Sequence, residues 1–355
     1  MSTHVDVLVI DGGQAGLAIG HHLTRRDRSF RILEAAATPA AAWRSRWDSL
    51  RLFTPARRSS LPGLPFPGDP DRYPTRDEVV AYLTDYARHF DLPVELSTRV
   101  TRLSRQHDAY VAEADGRTYT ADQVVVATGP FQTPRTPAFA SALSPHVHQL
   151  HSAAYRTPAQ LPDGPVLVVG GGNTGFQIAQ ELSATHETHL AIGSRQTPLP
   201  QRALGRDIFD HLTRAGMMRV TVDSPLGRRL RHRETLIGST PAALRRHGVR
   251  LHPRAADAGG TAVRFADGDL LRPTTVLWAT GFGRDHGWID VPVLDDAGTP
   301  IHRRGVTASP GLHFLGLPWQ HTRGSALLGW VGGDAAHVAA QIAATPRRAS
   351  TLTAT

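Results

Sequence analysis

The chain has 355 residues, of which 40% are hydrophobic and 20% are charged, and its formal net charge is +8 at pH 7. This length and balance indicate a globular protein of one large or two to three ordinary domains, with a substantial core. The sequence contains no cysteine and no lysine, so all 39 basic residues are arginine. Disulfides, thiolate nucleophiles, cysteine-bound metals, Schiff-base lysines and a P-loop lysine are therefore excluded.

The apolar runs of the chain are short. The longest, such as residues 5–10 and 124–127, have the size of strands, whereas a membrane helix needs about 20 apolar residues. The chain enters the first of these runs without a basic segment followed by an apolar signal core. We expect a cytoplasmic protein with no membrane partner.

The positive charge permits nucleic-acid binding, but the arginines are scattered and aromatic residues make up only 6% of the chain. The densest basic run contains Arg228, Arg229, Arg231 and Arg233. It is either a phosphate-contacting patch or a solvated surface or lid segment, and we favour the second interpretation. A basic protein also suits anionic dinucleotides and acidic metabolites, so we expect no nucleic-acid partner.

The start of the chain has the pattern strand, glycine turn, helix and strand. The apolar run at 5–10 is typical of a strand that is buried on both faces of a parallel sheet. The turn contains Asp11, Gly13 and Gly16, and residues with helical apolar spacing follow it. The next strand, Phe30–Leu33, ends at Glu34, which completes a βαβ unit.

The same arrangement returns in mid-chain. A strand at Val166–Val169 precedes Gly170, Gly172 and Gly175, which have the full G-x-G-x-x-G spacing, and a helical pattern follows. The first glycine permits a tight turn, the second lets the backbone approach a pyrophosphate, and the third lets the helix pack on the strand. The N-terminus of that helix offers N–H groups and a positive dipole end to phosphates. This motif predicts dinucleotide binding.

Two later strands repeat one another. The apolar runs at 124–126 and 276–278 are each followed by Ala-Thr-Gly, which contains Thr128 and Gly129 in the first copy and Thr280 and Gly281 in the second. We expect each of these strands to return to the sheet of its own glycine turn. The chain would then contain two doubly wound α/β units.

The residues after the second strand of each unit indicate which dinucleotide binds. Ser194 and Arg195, a hydroxyl and a permanent cation, suit the 2′-phosphate of NADPH, so we favour NADPH over NADH. Glu34 stands where a carboxylate accepts a ribose hydroxyl, which favours FAD at the first turn. Asp11 works against FAD, because its Cβ crowds the turn and its carboxylate repels a pyrophosphate.

With these motifs, and with segments 43–55, 151–155 and 316–324, the chain resembles bacterial flavin-containing monooxygenases over about residues 5 to 345. The resemblance implies an α/β fold of two Rossmann-like dinucleotide-binding domains, in which the NADPH domain is inserted into a discontinuous FAD domain. The expected bounds are 1–160 and 283–355 for the FAD domain and 161–282 for the NADPH domain, with a frayed tail after about residue 346.

The resemblance also implies an activity. FAD is reduced by NADPH, O2 is captured as a C4a-(hydro)peroxyflavin, and oxygen is transferred to a small or medium organic substrate in an N-, S- or Baeyer–Villiger-type oxygenation. The implied cofactor-binding residues are Asp11, Gly13, Gln14, Ala15, Gly16, Glu34, Arg44, Val100, Thr128, Gly129, Gly170, Gly172, Asn173, Thr174, Gly175, Ser194, Arg195, Thr280 and Gly281. The candidates beside the reacting flavin edge are Thr54, Gln320 and Arg323. No metal is expected.

Three departures from the family pattern leave alternatives open. Asp11 replaces the first glycine, and Phe53 stands where many relatives place an asparagine near the flavin. Pro145 and Val147 occupy the positions where the linker motif of these monooxygenases has phenylalanine and glycine. One alternative is a homologue with weakened or absent FAD binding that performs NADPH-dependent reduction or non-redox chemistry. Another is a non-catalytic flavoprotein sensor. A homodimer is compatible with each of these functions.

Overall fold

The computed structural model describes residues 2–26, 28–194, 196–232 and 235–346. Arg195, which the sequence assigns to NADPH, lies outside these described residues. Two sheets rich in parallel strands carry the fold, and each contains one of the two glycine turns.

The larger sheet contains the first glycine turn. Its strands are β1 Ser2–Ile10, β2 Phe30–Leu33, β3 Val94–Glu95, β4 Val100–Gln106, β5 Ala109–Ala114, β6 Arg117–Val126, β21 Ile289–Asp290 and β22 Leu312–Phe314. They are ordered β21-β4-β5-β6-β1-β2-β3, with β22 paired to β6. β1 is parallel to β2 and β6, whereas β5 is antiparallel to β4 and β6.

The smaller sheet contains the second glycine turn. Its strands are β8 His148–His151, β9 Val166–Val169, β10 Thr188–Ala191, β15 Arg250–His252 and β19 Thr275–Trp278. They are ordered β15-β10-β9-β19-β8, and all four pairings are parallel. Each Ala-Thr-Gly strand returns to its own sheet, β6 beside β1 and β19 beside β9, as predicted. The strand β8 joins this sheet although it lies before residue 161, where the NADPH domain is expected to begin. The expected domain bounds remain a prediction.

The remaining elements connect and cover the sheets. The helices are α1 Gln14–Thr24, α2 Ala41–Arg44, α3 Arg76–His89, α4 Asn173–Leu182, α5 Ile208–Arg214, α6 Pro225–Leu230, α7 Pro241–Arg246 and α8 Val331–Ala344. Short 3-10 helices lie at Ala56–Arg58, Ala138–Ala142, Pro158–Gln160 and Met217–Arg219. The short strands are β7 Thr133–Pro134, β11 Thr197–Leu199, β12 Arg202–Ala203, β13 Arg206–Asp207, β14 Thr235–Ile237, β16 Ala255–Gly259, β17 Ala262–Phe265, β18 Leu270–Leu271 and β20 Phe282–Gly283.

The strand β1 shows why these sequences form buried parallel strands. Val7 and Val9 pack on one face of the sheet, in the core that also contains residues of α1, α3 and α8. Leu8 and Ile10 pack on the opposite face, with residues of β5, β6 and β22. Burial on both faces accounts for the continuous apolar run, so the interpretation of residues 5–10 is confirmed.

Local signals set the helix that covers the first sheet. α3 begins with a capping box, in which the N–H of Glu78 donates to Thr75 Oγ1 at 3.3 Å and the N–H of Thr75 donates to Glu78 Oε2 at 2.8 Å. Val79 and Leu83, four residues apart, are fully buried against the core. Among the described residues, no helix combines the length and the apolar character needed to cross a membrane.

Candidate functional site

The first glycine turn joins the end of β1 to the start of α1. The N–H of Asp11 donates to the carbonyl oxygen of Leu33 at 2.8 Å, so the chain leaves the sheet beside the end of β2. A Cβ on Gly16 would lie 1.9 Å from the carbonyl oxygen of Asp11, a distance that no side chain tolerates. Glycine is therefore required at this position for α1 to approach the turn.

The second glycine turn joins β9 to α4 and repeats these contacts. The N–H of Gly170 donates to the carbonyl oxygen of Ala191 at 3.0 Å. A Cβ on Gly175 would lie 1.9 Å from the carbonyl oxygen of Gly170. Gly170 has φ +133°, and Gly172 is the N-cap of α4. The two turns are thus equivalent in their backbone contacts.

The side chain of Asp11 is the main difference between the turns. Asp11 occupies the place of Gly170 and has φ +89°, a left-handed conformation that strains a residue with a Cβ. Its Oδ2 accepts the N–H of Gly13 at 3.0 Å, and Glu34 Oε2 accepts the N–H of Gly12 at 3.0 Å. Burial, and then the negative charge of Glu34, raise the pKa of Asp11 to about 7. Two carboxylates therefore engage amides that a pyrophosphate would approach.

The loop that follows β22 lies against the first turn. Gly316 has φ +83°, and a Cβ there would lie 2.8 Å from the Cβ of Ala15. Gln14 Nε2 donates to the carbonyl oxygen of Ala326 at 2.8 Å. The Oε1 atom of Gln14 is buried and has no hydrogen-bond partner among the described residues. The loop thus packs on the start of α1 beside a free acceptor.

The same loop also contacts the second unit. Arg323 Nη2 donates to Thr235 Oγ1 at 3.0 Å. Asn173, the first residue of α4, donates from Nδ2 to the carbonyl oxygen of Thr235 at 3.1 Å and accepts the N–H of Ile237 at 2.9 Å. Burial lowers the pKa of Arg323. These bonds bring the loop after β22 to the N-terminus of α4 through strand β14.

A cavity of about 190 Å³ lies at this junction. It is lined by Phe53, Asn173, Phe209, Leu230, Thr235, Ile237, Trp319, Arg323 and Leu327. The described side chains of the wall are apolar except for one amide, one hydroxyl, one guanidinium group and the indole N–H of Trp319. Apolar walls with a few polar groups are typical of sites for organic molecules, although this cavity, at about 190 Å³, is smaller than the roughly 300–1,000 Å³ of most such sites. It takes residues from both units, because Asn173 begins α4 and Arg323 follows β22.

Of the three residues predicted beside the reacting flavin edge, Arg323 lines this cavity. Thr54 Oγ1 instead shares a 2.9 Å hydrogen bond with Ser59 Oγ, and both residues are buried. Gln320 Nε2 donates to the carbonyl oxygen of Phe314 at the end of β22 at 3.0 Å, and Gln320 Oε1 accepts the N–H of Leu317 at 3.2 Å. The structure thus gives Thr54 and Gln320 internal partners, and neither lines the small cavity.

The Ala-Thr-Gly segments follow the strands β6 and β19 beside the two turns. The N–H after each strand donates to the last residue of the neighbouring strand, at 2.9 Å in the first unit and 2.8 Å in the second. Gly129 and Gly281 have φ +65° and +80°. Thr128 Oγ1 accepts from Gln132 Nε2 at 2.9 Å, whereas Thr280 Oγ1 donates to a backbone carbonyl. Both segments therefore begin beside the end of the strand that leads into a glycine turn.

The other predicted cofactor residues occupy more varied places. Arg44 ends α2 and is exposed, and Val100 begins β4 and is half-buried. Thr174 lies in the first turn of α4, and Ser194 is exposed after β10. Arg195 is outside the described residues. The roles assigned to these five residues remain predictions.

Sequence reasoning missed a cation–aromatic contact between the units. The guanidinium carbon of Arg46 lies 4.8 Å from the ring centre of Phe131 and 5.1 Å from that of Phe282. Burial, and then the charge of Arg156, lower the pKa of Arg46. The available signal was an aromatic residue shortly after each Ala-Thr-Gly segment.

The carboxylate of Asp207 makes a second set of contacts that sequence reasoning missed. Its Oδ1 accepts the N–H of Phe209 at 2.8 Å and caps α5, while its Oδ2 accepts the hydroxyl of Tyr73 at 2.7 Å and Gln201 Nε2 at 2.9 Å. The segment between α2 and α3 is thereby tied to α5, which lines the small cavity through Phe209.

The comparisons with known proteins agree with this geometry. Residues 8–204 match the sequence profile of pyridine nucleotide-disulphide oxidoreductases. The chain belongs to the pyridine nucleotide-disulphide oxidoreductase family. This oxidoreductase is 44% identical over 337 residues to an uncharacterized CzcO-like oxidoreductase of Geobacillus kaustophilus, which covers 94% of this chain and 97% of the relative.

Two monooxygenases are also similar to this oxidoreductase. The structure of a flavin-containing monooxygenase from Stenotrophomonas maltophilia matches with a TM-score of 0.81 and 33% identity, covering 96% of this chain and 99% of that one. The probable indole-3-pyruvate monooxygenase YUCCA7 of Arabidopsis thaliana is 31% identical over 217 residues, which is 57% of this chain and 50% of the relative.

These matches confirm the resemblance to flavin-containing monooxygenases, the α/β fold class and the assignment to the oxidoreductases. The disulphide chemistry to which the family name refers does not occur in this member. With no cysteine in the sequence, it has no thiol pair that could be oxidised and reduced.

Proposed function

We propose that this oxidoreductase is a monooxygenase that uses FAD, NADPH and O2 to oxygenate a small or medium organic substrate. The observation that carries the proposal is the pair of equivalent glycine turns, which both lead to the loop after β22. Gln14, at the first turn, bonds Ala326 of this loop. Asn173, at the second turn, bonds Thr235, which also accepts a hydrogen bond from Arg323 of the loop. FAD would occupy the first turn and NADPH the second. We keep the domain bounds predicted from the sequence as part of this proposal.

The residues of the first turn fit FAD in two respects. The missing Cβ at Gly16 permits the close approach of α1 that dinucleotide turns require. Gln14 Oε1 is a buried acceptor without a partner among the described residues, which suits a ligand donor. Glu34 adds a carboxylate at the end of β2, and each of its oxygens can accept more than one hydrogen bond.

The residues of the second turn fit NADPH. The carbonyl oxygens of Gly170 and Ala279 lie where any Cβ at Gly175 or Gly170 would collide. Gln196 Oε1, beside this turn, is another buried acceptor with no partner in the described part of the chain. Arg195 supplies a cation for the 2′-phosphate by its place in the sequence. The set therefore favours a phosphorylated nicotinamide dinucleotide.

The reaction consumes NADPH, a proton and O2, inserts one oxygen atom into the substrate and releases the other as water. FAD supplies the electron transfer to O2 when it is bound. The chain's own residues bind and orient the partners. Phe53, Phe209 and Trp319 line the small cavity with aromatic rings, and Arg323 places a positive charge at its wall, where developing negative charge is stabilised.

Asp11 supports a second candidate function. Its ionised carboxylate beside the expected pyrophosphate weakens FAD binding. A protein that has lost FAD would use NADPH for a reduction, without oxygen insertion. The two functions differ in whether O2 is consumed.

The experiment that tests the first function measures NADPH oxidation and O2 uptake by the FAD-supplemented full chain. The probes are an organic sulfide, a tertiary amine and a cyclic ketone. We expect one probe to stimulate both rates in equal amounts and to incorporate one oxygen atom from isotopically labelled O2. NADPH oxidation that reduces a probe without O2 uptake would instead favour the second function.

A further inference from the structure

A second and larger cavity, of about 1260 Å³, lies on the other side of Trp319. Its walls are the segment 299–308, the loop 317–321, α8, and the chain around α6. None of the described residues that line it belongs to either glycine turn, but Gln320, which the sequence predicts beside the reacting flavin edge, is one of them. The cavity therefore lies outside the two glycine turns proposed for FAD and NADPH.

The lining of this cavity is strongly cationic. The guanidinium groups are those of Arg231, Arg284, Arg303 and Arg304. Among the described lining residues the carboxylate is that of Asp223, so four cations face one anion. Arg304 is also paired with the buried Asp334, with Nε 3.2 Å from Oδ1. Arg231, Arg284 and Arg303 are exposed.

Three histidines lie beside these arginines. The pKa values of His302, His321 and His337 are lowered, first by burial and then by the charge of a nearby arginine, while the carboxylate of Asp334 acts in the opposite direction. Arg284 acts on the first of these histidines and Arg304 on the other two. The excess of arginines over carboxylates in the lining favours an anion in this space.

Another part of the lining is apolar. It includes Val222, Pro300, Ile301, Val306, Leu317 and Trp319. The side chain of Ile301 is 56% exposed, which is unusual for an isoleucine. Trp319, with φ +56°, lines both this cavity and the small one. An apolar surface next to a group of arginines suits a molecule with an apolar body and an anionic head.

We propose that the large cavity binds small organic anions that carry an apolar portion, with a carboxylate or phosphate head held by Arg284 and Arg303. The basic run noticed in the sequence contributes Arg231 to this site. Arginine suits such heads because its planar fork donates two parallel hydrogen bonds to carboxylate or phosphate oxygens. The site stands independently of the proposed oxygenation.

The test measures binding by isothermal titration calorimetry on the full chain as purified. The probes are 2-naphthoate and 1-naphthyl phosphate, with the neutral 2-naphthamide as the matched control. We expect at least one anionic probe to bind about tenfold or more tightly than the amide, because charge-assisted hydrogen bonds to guanidinium groups are lost in the amide. Whichever anion binds more tightly identifies the preferred head group.

Variants locate the binding. In the double variant Arg284→Gln, Arg303→Gln, the affinity for that anion falls about tenfold or more, because the charge-assisted hydrogen bonds to its head group are lost. The fold stays intact, because both side chains are exposed. The matched control is Arg245→Gln, Arg246→Gln, two exposed arginines of α7 outside the cavity, and its affinity is unchanged. Saturating NADPH leaves the binding of the anion unchanged.

Three results would overturn the proposal. They are equal affinities for the anions and the amide, equal effects of the two double variants, and displacement of the bound anion by NADPH. The last result would place the anion in the dinucleotide site instead.

Discussion

The carboxylate of Asp11 accepts the N–H of Gly13 at 3.0 Å, at the turn where the second unit has Gly170. The strand, turn and helix are otherwise equivalent, since Gly16 and Gly175 make the same close approach to a carbonyl oxygen. The fold therefore tolerates Asp11, although its φ of +89° is an unfavourable backbone conformation for a residue with a Cβ. We expect Asp11 to change the affinity of this turn for its ligand and to leave the sheet unchanged.

The affinity for FAD should depend on pH through Asp11. Because its pKa is about 7, the carboxyl group is neutral below that pH and repels a pyrophosphate above it. FAD should bind more weakly as the pH rises from about 6 to about 8. Flavin fluorescence titrations at both pH values measure this change.

The matched variant is Asp11→Asn, which keeps the size of the side chain and removes its charge. Its FAD affinity should be independent of pH over that range and should equal or exceed that of the parent above pH 7. A parent whose affinity is already independent of pH would show that Asp11 does not face the ligand in its ionised form.

Alanine at each third glycine should separate the two cofactor sites. A Cβ on Gly16 or on Gly175 would lie 1.9 Å from a backbone carbonyl oxygen, so the helix must shift away from its turn. Gly16→Ala should abolish FAD retention while NADPH still binds, and Gly175→Ala should do the reverse. Binding of each cofactor to each variant is measured by fluorescence, and circular dichroism checks the fold. Loss of both cofactors in both folded variants would contradict the assignment.

The choice between NADPH and NADH should depend on Arg195. Replacing it with alanine removes the cation proposed for the 2′-phosphate, and a hydrogen bond to a charged group contributes about 1.5–3 kcal/mol. Arg195→Ala should therefore raise the KM for NADPH about tenfold or more and leave the KM for NADH almost unchanged. Steady-state kinetics with both nucleotides measure this ratio, and an equal rise for both would refute the proposed role.

His313 should make the protein less stable in acid. It is buried in β22, both ring nitrogens lack hydrogen-bond partners among the described residues, and burial together with His337 lowers its pKa to about 4. A histidine with a depressed folded pKa takes up its proton more readily when unfolded. Its contribution to the free energy of unfolding is therefore lost as pH falls from 6.5 towards about 4.

The variant His313→Leu removes this penalty and should raise the free energy of unfolding. The gain should be larger by about 2 kcal/mol at pH 5 than at pH 7.5. Urea unfolding at both pH values provides the measurement. The exposed His146→Leu is the control and should show no such difference. A gain of equal size at both pH values would mean that His313 is not held neutral.

The sequence predicted the parts of the fold that depend on local patterns. The apolar runs before Asp11 and Gly170 are long enough and punctuated clearly enough to identify both strands and both turns. The return of β6 and β19 to those strands followed from their repeated Ala-Thr-Gly endings.

The candidate site was less predictable, because it depends on which loops meet in space. The sequence could not show that both polar atoms of the Gln320 amide would bond nearby backbone groups. Nor could it show that Arg323, three residues later, would bond Thr235. The position of Arg46 between two phenylalanine rings likewise requires the packing of distant segments. Side-chain partners separated by long stretches of chain leave no periodic signal in the sequence.

The most direct test of the proposed function is the visible absorption spectrum of the protein, recorded after incubation with FAD and removal of the free flavin. We expect the bands of oxidised flavin to remain with the protein and to be bleached when NADPH is added without O2. They should return when O2 is admitted. A colourless protein at a pH below 7, where Asp11 is neutral, would contradict the assignment of FAD to the first turn.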